Sequence, residues 1–205
     1  MSRRQPTSAV PASRPPLTPD DWIDAAIDVL VDDSVNAVRV DVLAKGLLVT
    51  RGSFYWHFRD RDDLLTQILK RWADAATEQL INRFERSGAT PDALIRELAS
   101  LPFRGRAAHR SAAIDLAIRA WARRDEMARR AVDDVDAKRL SYITHCFVAL
   151  GHGIKEAQHR AFLLYSYMMG EALLKRQGTD SQRKDRLHFI EALLLDETGK
   201  AAAKA

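Results

Sequence analysis

Apolar residues recur three and four positions apart through most of this chain, and no stretch alternates long enough to read as a strand. Ile23, Ala26, Ile27 and Leu30 lie on one helical face, and Val40, Leu43, Ala44 and Leu47 on a second. Leu64, Leu65, Ile68, Leu69 and Trp72 lie on a third. Faces of this period bury themselves only against other helices or a sheet, and no sheet is available, so the expected fold class is all-α. Capping residues set the element boundaries. Thr18 suits an N-cap, Pro19 the first helical position and Asp21 the third, as in a capping box. Thr50 caps a short third helix, with Phe54 and Phe58 four apart on its inner side. Asp60 caps a fourth helix, expected to reach about Arg86. Thr90 and Pro91 open a short helix to about Leu101, after which "PFRGRAAHR" reads as a loop. "SAAIDLAIRAWARR", the segment after Asp125, "KEAQHRAFLLYSYMMGEALLKRQ" and "SQRKDRLHFIEALLL" complete about nine helices, three small ones ahead of six mostly longer ones.

The 205 residues suffice for one or two domains with a real core. Residues 1–17 are Pro- and Ser-rich without a periodic face, and are expected to form a disordered arm. The expected organisation is a small helical domain over 18–64, a larger one over 65–198 and a disordered tail over 199–205. The basic start has no hydrophobic segment after it and is not expected to be a secretory signal. No run approaches the roughly 18 apolar residues of a membrane span. The single cysteine, Cys146, excludes an internal disulfide framework and reads as a small buried residue. A cytoplasmic location is expected. Nucleotide-binding glycine loops, paired catalytic carboxylates and an HExxH metal motif are all missing, so no enzyme, cofactor or metal is expected. "DDVD", Asp133 to Asp136, reads as solvated helix surface.

About three residues separate the second and third helices, the spacing of a helix-turn-helix, with the first helix as the remaining wall of a three-helix core. The net charge of +4 says little, because residues 1–71 hold ten basic and ten acidic side chains. The local pattern says more: Lys45 to Arg61 holds four positive residues and one negative. A patch of that kind can anchor a neutral domain on phosphates. In "VTRGSFYWHF", Arg51 can read guanine through its fork of donors, and Ser53 can bond to a base edge or a phosphate. Tyr55 and His57 offer short polar contacts that position a duplex.

The stretch "RVDVLAKGLLVTRGSFYWHFRDRDDLL" resembles the TetR family of transcriptional repressors, with the specific match over about Trp22 to Leu69. The resemblance implies an all-helical homodimer with an N-terminal helix-turn-helix domain and a larger helical domain that binds a small effector and the partner subunit. It implies a palindromic DNA operator, released when effector binding moves the DNA-binding heads. It places Thr50, Arg51, Gly52 and Ser53 at the opening of the recognition helix, in or near the major groove. Tyr55 and His57 correspond to phosphate contacts, Trp56 to an exposed backbone or thymine-methyl contact, and Arg61 to a flanking phosphate anchor. The sequence departs from the pattern at Leu48, where the family usually has glycine, and at Arg39, which stands at a usual Thr or Ser cap and is a further candidate phosphate contact.

In the larger domain, apolar residues cover more than one side of the last two helices, which implies a second protein surface. Leu164, Met168, Leu187, Ile190 and Leu194 are the candidate dimer residues. Trp121, Tyr142, Phe147, Tyr165 and Met169 are the candidate walls of an effector pocket, with His145 or His152 as polar anchors. The alternative function is a helical protein-interaction module that keeps a helix-turn-helix without specific operator binding. A steep salt dependence of sequence-specific DNA binding separates the two.

Overall fold

The structure is a computed structural model in which residues 16–174 and 177–195 are described. The arm and tail expected at the two ends lie almost wholly outside these residues. No strand occurs among the described residues, and ten α-helices do.

Helix α1 spans Pro19–Asp32, α2 Val40–Leu47 and α3 Arg51–Phe54. The Thr18 hydroxyl accepts from the Asp21 N–H while the Asp21 carboxylate accepts from the Thr18 N–H, so the capping box closes as expected. α4 spans Arg61–Ala73 and α5 Gln79–Ser87. They form the single fourth helix of the sequence reading, interrupted by a π turn over Asp74–Glu78. α6 is Pro91–Ser100 and α7 Gly105–Ala122. Most of "PFRGRAAHR" is therefore helical rather than loop: a 3-10 turn, Leu101–Phe103, leads straight into α7. α8 is Glu126–Ala149, capped by Asp125; α9 is Ile154–Leu173; α10 is Asp180–Leu194, with the Thr179–Gln182 capping box.

Two hydrophobic cores result. The first joins α1–α4 to α7 and the first half of α8, through Trp22, Phe54, Ile68, Ile118, Trp121 and Val132. The second joins α5, α6, the second half of α8, α9 and α10, through Phe84, Ile95, Phe147 and Leu164. At 1.5 Å per residue, α8 is roughly 36 Å long and passes from one core into the other. The small N-terminal head thus shares its core with the larger body.

Candidate functional site

Leu48, Val49 and Thr50 make the three-residue connection between α2 and α3. Leu48 adopts φ 59° and ψ 42°, the left-handed conformation that favours glycine. Its N–H bonds to the Ala44 and Lys45 carbonyls, and the Val49 N–H reaches Ala44 at 3.0 Å. The Leu48 side chain is exposed, so the turn costs torsional energy but no clash.

α3 is a single turn, prolonged by the Phe58 N–H bonding to the Phe54 carbonyl at 3.1 Å. It is fixed from inside by its aromatic residues. Phe54 is fully buried, edge-on to Trp22 at 5.3 Å and stacked on Phe58 at 5.2 Å. The other side of the turn is left to solvent. Thr50, Arg51, Gly52, Tyr55 and Trp56 are exposed, Trp56 to 87%, while Ser53 and His57 are half-buried. The Thr50 hydroxyl makes no capping bond, and no ion pair among the described residues engages Arg51. A Cβ on Gly52 would meet only Thr50 Oγ1, at 3.7 Å, so nothing within the subunit requires glycine there.

Two basic residues differ from their expected places. Arg61 does not reach outward. Its Nε donates to the Val38 carbonyl at 2.6 Å and its Nη2 to the Val35 carbonyl at 2.5 Å. It therefore locks the α1–α2 connection, giving the Val38 carbonyl a donor and the Val35 carbonyl a second one beside the Val38 N–H. Arg59, one residue before the α4 cap, has its side chain 84% exposed and makes a long contact to Asp63, at 3.5 Å. Arg39 caps α2 by its backbone only, and its guanidinium is bidentate on Asp41. Lys45 is exposed on the same helix.

Behind the head, a cavity of about 1780 Å³ runs between α1, α4, the π turn, α7, α8 and α9. Of the candidate effector residues, Trp121, Tyr142, Tyr165 and Met169 line it, together with Met168. Phe147 does not: it is fully buried in the second core, against the ring of His152, because α8 turns that face toward α6 and α9. His145 is exposed and His152 lies outside the wall.

At one side of the cavity stands an ionic cluster that sequence spacing does not reveal. Arg119 of α7 bonds Asp115 at 2.6 Å and is bidentate on Asp136 of α8, at 2.6 and 2.8 Å. Arg139 donates from Nη1 to Asp115 and to the Tyr165 hydroxyl. That hydroxyl donates in turn to Asp136, at 2.6 Å. Asp136 is thus no solvated residue, unlike its exposed neighbours Asp133 and Asp134. Burial pushes its carboxyl up, but hydrogen bonds from Arg119 and Tyr165 and the charges of both arginines outweigh that and hold it below the ordinary carboxylate range. Burial drives the Tyr165 hydroxyl up to about 12. The Asp136 bonds, above all, raise Arg119 further above its already high range. Burial also lifts the Cys146 thiol to about 11, which leaves it inert rather than a redox thiolate.

The dimer candidates divide. Leu164 and Leu194 are 0% and 1% exposed within the subunit's own second core and cannot face a partner. Leu187 and Ile190 are half-buried against that core. The large apolar side chains that α9 and α10 leave outward are Ile154, Phe162, Leu163, Leu173, Phe189 and Leu193, none of them among the residues the sequence reading chose.

Comparison with known proteins agrees with the head's geometry. Residues 23–68 match the family model described as bacterial regulatory proteins, tetR family. The head is a TetR-family domain. Curated relatives match over the same region: the HTH-type transcriptional regulator AcrR of Shigella flexneri is 37% identical over 46 residues, 22% of this chain and 21% of that protein. The HTH-type transcriptional regulator SrpR of Pseudomonas putida is 40% identical over 47 residues, 23% of this chain and 22% of that protein. The matched segment thus spans only about a fifth of these relatives. Solved structures extend the likeness of fold to the body behind the TetR head. A transcriptional regulator from Rhodococcus sp. Rha1 superposes with a TM-score of 0.68 at 20% identity, over 88% of this chain and 95% of that one. The transcriptional regulator FadR from Bacillus subtilis, solved in complex with stearoyl-CoA, gives a TM-score of 0.63 at 18% identity, over 86% and 97%.

Proposed function

We propose that the protein is a sequence-specific DNA-binding transcriptional regulator, a homodimer that represses from a palindromic operator and is released by a small molecule. The observation that carries this reading is the outward side of α3. Phe54 and Phe58 anchor the turn from within, while Arg51 and Trp56 project from it without a partner in the subunit and Tyr55, edge-on to Phe54 at 5.3 Å, stays exposed beside them. A surface that leaves one donor fork and two large aromatics in water is suited to a groove and its phosphates. Arg51, Thr50 and Ser53 face the bases; Tyr55, His57 and Trp56 face the backbone. Arg59 and Lys45 take the flanking phosphate role expected of Arg61, which the head uses internally.

Release requires a ligand site and a path to the head. The cavity supplies the first, and the FadR fold solved with stearoyl-CoA supports its use for a small molecule. α7 supplies the second: it lines the cavity and lays Ile118 and Trp121 in the head's core. The exposed apolar side chains of α9 and α10 suit a second copy of the chain. No helix among the described residues is long and apolar enough to cross a membrane.

The test is titration of the purified protein with the DNA flanking its own gene and with a scrambled duplex, across a salt series. Specific binding over the scrambled duplex, with a log–log salt slope of several units, is the expected result. Equal affinity for both duplexes overturns the reading.

A further inference from the structure

Resting on the reading of the head as a sequence-specific DNA-binding domain, the geometry points to Arg39 as a second reader of guanine, held in position by Asp41. This differs from the phosphate contact expected of Arg39.

The donors that the ion pair uses decide this. Arg39 Nε donates to one Asp41 carboxylate oxygen at 3.2 Å, and Nη2 to the other at 2.9 Å. That engages one side of the guanidinium. Nη1 and the second hydrogen of Nη2, which form its end, have no partner among the described residues. The end of a guanidinium presents two parallel donors and no acceptor. Guanine, with N7 and O6, is the base that offers two adjacent acceptors in the major groove. The other arginines of the head are arranged differently. Arg71 spends Nη1 and Nη2, its whole end, on Asp20 and Asp24. Arg61 is turned inward onto two carbonyls, and the Arg59 side chain meets Asp63 through Nε alone, at 3.5 Å.

Charge separates a base contact from a phosphate contact. The Arg39–Asp41 pair is neutral, and a phosphate anchor works by bringing net positive charge that displaces counterions. Asp41, with its side chain 47% exposed, would also repel the phosphate that Arg39 approached. Base edges are read by hydrogen-bond geometry instead, and there a fixed fork is an advantage. A side chain already held in place loses less freedom on binding. The backbone under the pair is fixed as well. Arg61 holds the Val38 carbonyl, one residue before Arg39, and the Leu43 N–H bonds to the Arg39 carbonyl at 3.0 Å, closing the first turn of α2. In a helix-turn-helix the first helix crosses the DNA backbone beside the groove that takes the second. Arg39 stands at the start of that first helix, and its side chain is 62% exposed. An arginine is long enough to pass from there to a base edge.

The experiment uses the full chain. The operator is bounded by footprinting within the DNA flanking the gene, and each of its guanines is replaced in turn by 7-deazaguanine, which lacks the N7 acceptor. One guanine in each half-site should weaken wild-type binding about tenfold when replaced. That sensitivity should vanish in Arg39→Ala and survive in Arg51→Ala. Arg39→Lys, which keeps the charge without the fork, should behave as Arg39→Ala does. Asp41→Asn removes one charge and keeps the shape. It should raise affinity for a scrambled duplex, lower the operator-to-scrambled ratio several-fold and shrink the same guanine sensitivity. In the Arg39→Ala background it should leave that ratio unchanged. Three results overturn the proposal: Asp41→Asn tightening operator and scrambled duplex by one common factor, which makes Asp41 a mask over a phosphate contact; Arg39→Lys binding as tightly as the wild type; or no guanine whose effect depends on Arg39. Wild-type protein that fails to distinguish the operator from a scrambled duplex sinks the regulator reading and Arg39 with it. Wild-type protein that distinguishes them, with the preference unmoved in Arg39→Ala and Asp41→Asn, sinks the Arg39 assignment alone.

Discussion

Three arginines within eleven positions do three different jobs, and substitution should tell them apart. Arg51 projects from α3, Arg59 is exposed with one long contact to Asp63 and Arg61 holds two backbone carbonyls. Arg51→Ala should cost about 1–3 kcal/mol against the operator and relax preference at one base pair. Arg59→Ala should weaken binding to all duplexes alike and lower the salt slope by about one unit. Arg61→Ala should instead lower the stability of the folded protein by about 2 kcal/mol, since it removes two charge-assisted bonds to carbonyls. Chemical denaturation and DNA titration of the three variants check the assignment; unchanged stability in Arg61→Ala would show that the loop does not depend on it. Leu48 offers a test of the turn. Leu48→Gly should stabilise by about 0.5–1 kcal/mol, because a Cβ in the left-handed region is relieved and the lost side chain is exposed. At this scale the sequence pattern revealed residue types better than partners. "VTRGSFYWHF" showed that Phe54 and Phe58 turn inward, because their spacing alone decides it. It could not show that Arg61 turns back, because Val35 and Val38 lie 26 and 23 positions away.

Four helices, α1, α4, α8 and α10, begin where a side chain closes the first turn, and their starts were legible, whereas Thr50 and Thr90 make no such bond. Thr18, Asp60, Asp125 and Thr179 each cap as read, by bonds that span three residues. The π turn was not legible, because no local bond in "DAATE" demands it; neighbouring helices decide it. The start of α7 was missed because Gly105 and Arg106 carry no cap signal, although the chain after them is helical. The ionic cluster was hidden for a different reason. Its members come from α7, α8 and α9, and only the packing of those helices brings Asp115, Asp136 and Tyr165 onto two arginines. This cluster ties the three helices together and makes a pH-dependent contribution. The Asp136 carboxyl is held below its ordinary 3.8, so its stabilising effect is complete above that value and fades as pH falls through the lower folded value. Asp136→Asn should lower stability at pH 7 by about 2 kcal/mol, as breaking a half-buried pair does. It should also flatten the loss of stability as pH falls below about 4. Urea denaturation at stepped pH measures both, and parallel curves for the two proteins would refute the assignment.

For the whole molecule, the division into a head and a body holds for chain order but not for packing. Apolar periodicity shows which face of a helix is buried, not which neighbour buries it. It therefore separated the outward Phe162 and Phe189 from the inward Leu164 and Leu194 less well than it found the helices themselves. Charge on the outward pair is the proper test of assembly. Phe162→Asp with Phe189→Asp should give a monomer by light scattering, still helical, with operator affinity reduced by about a hundredfold or more once two heads no longer act together. Leu164→Asp should unfold the body instead, since it buries a carboxylate in the second core. A dimer that survives the double substitution would locate the interface elsewhere.

α8, which passes through both cores, gives the molecule one fate in unfolding. Amide protons near its midpoint, around Val135 to Arg139, are shielded by head-side packing on one flank and by the ionic cluster on the other. They should exchange with deuterium only through global opening, and calorimetry should show a single peak whose van't Hoff and calorimetric enthalpies agree. A fragment ending near residue 70 would carry every DNA-facing group yet lose Ile118, Trp121 and Val132 from beneath it. It should behave as a collapsed chain rather than a miniature head.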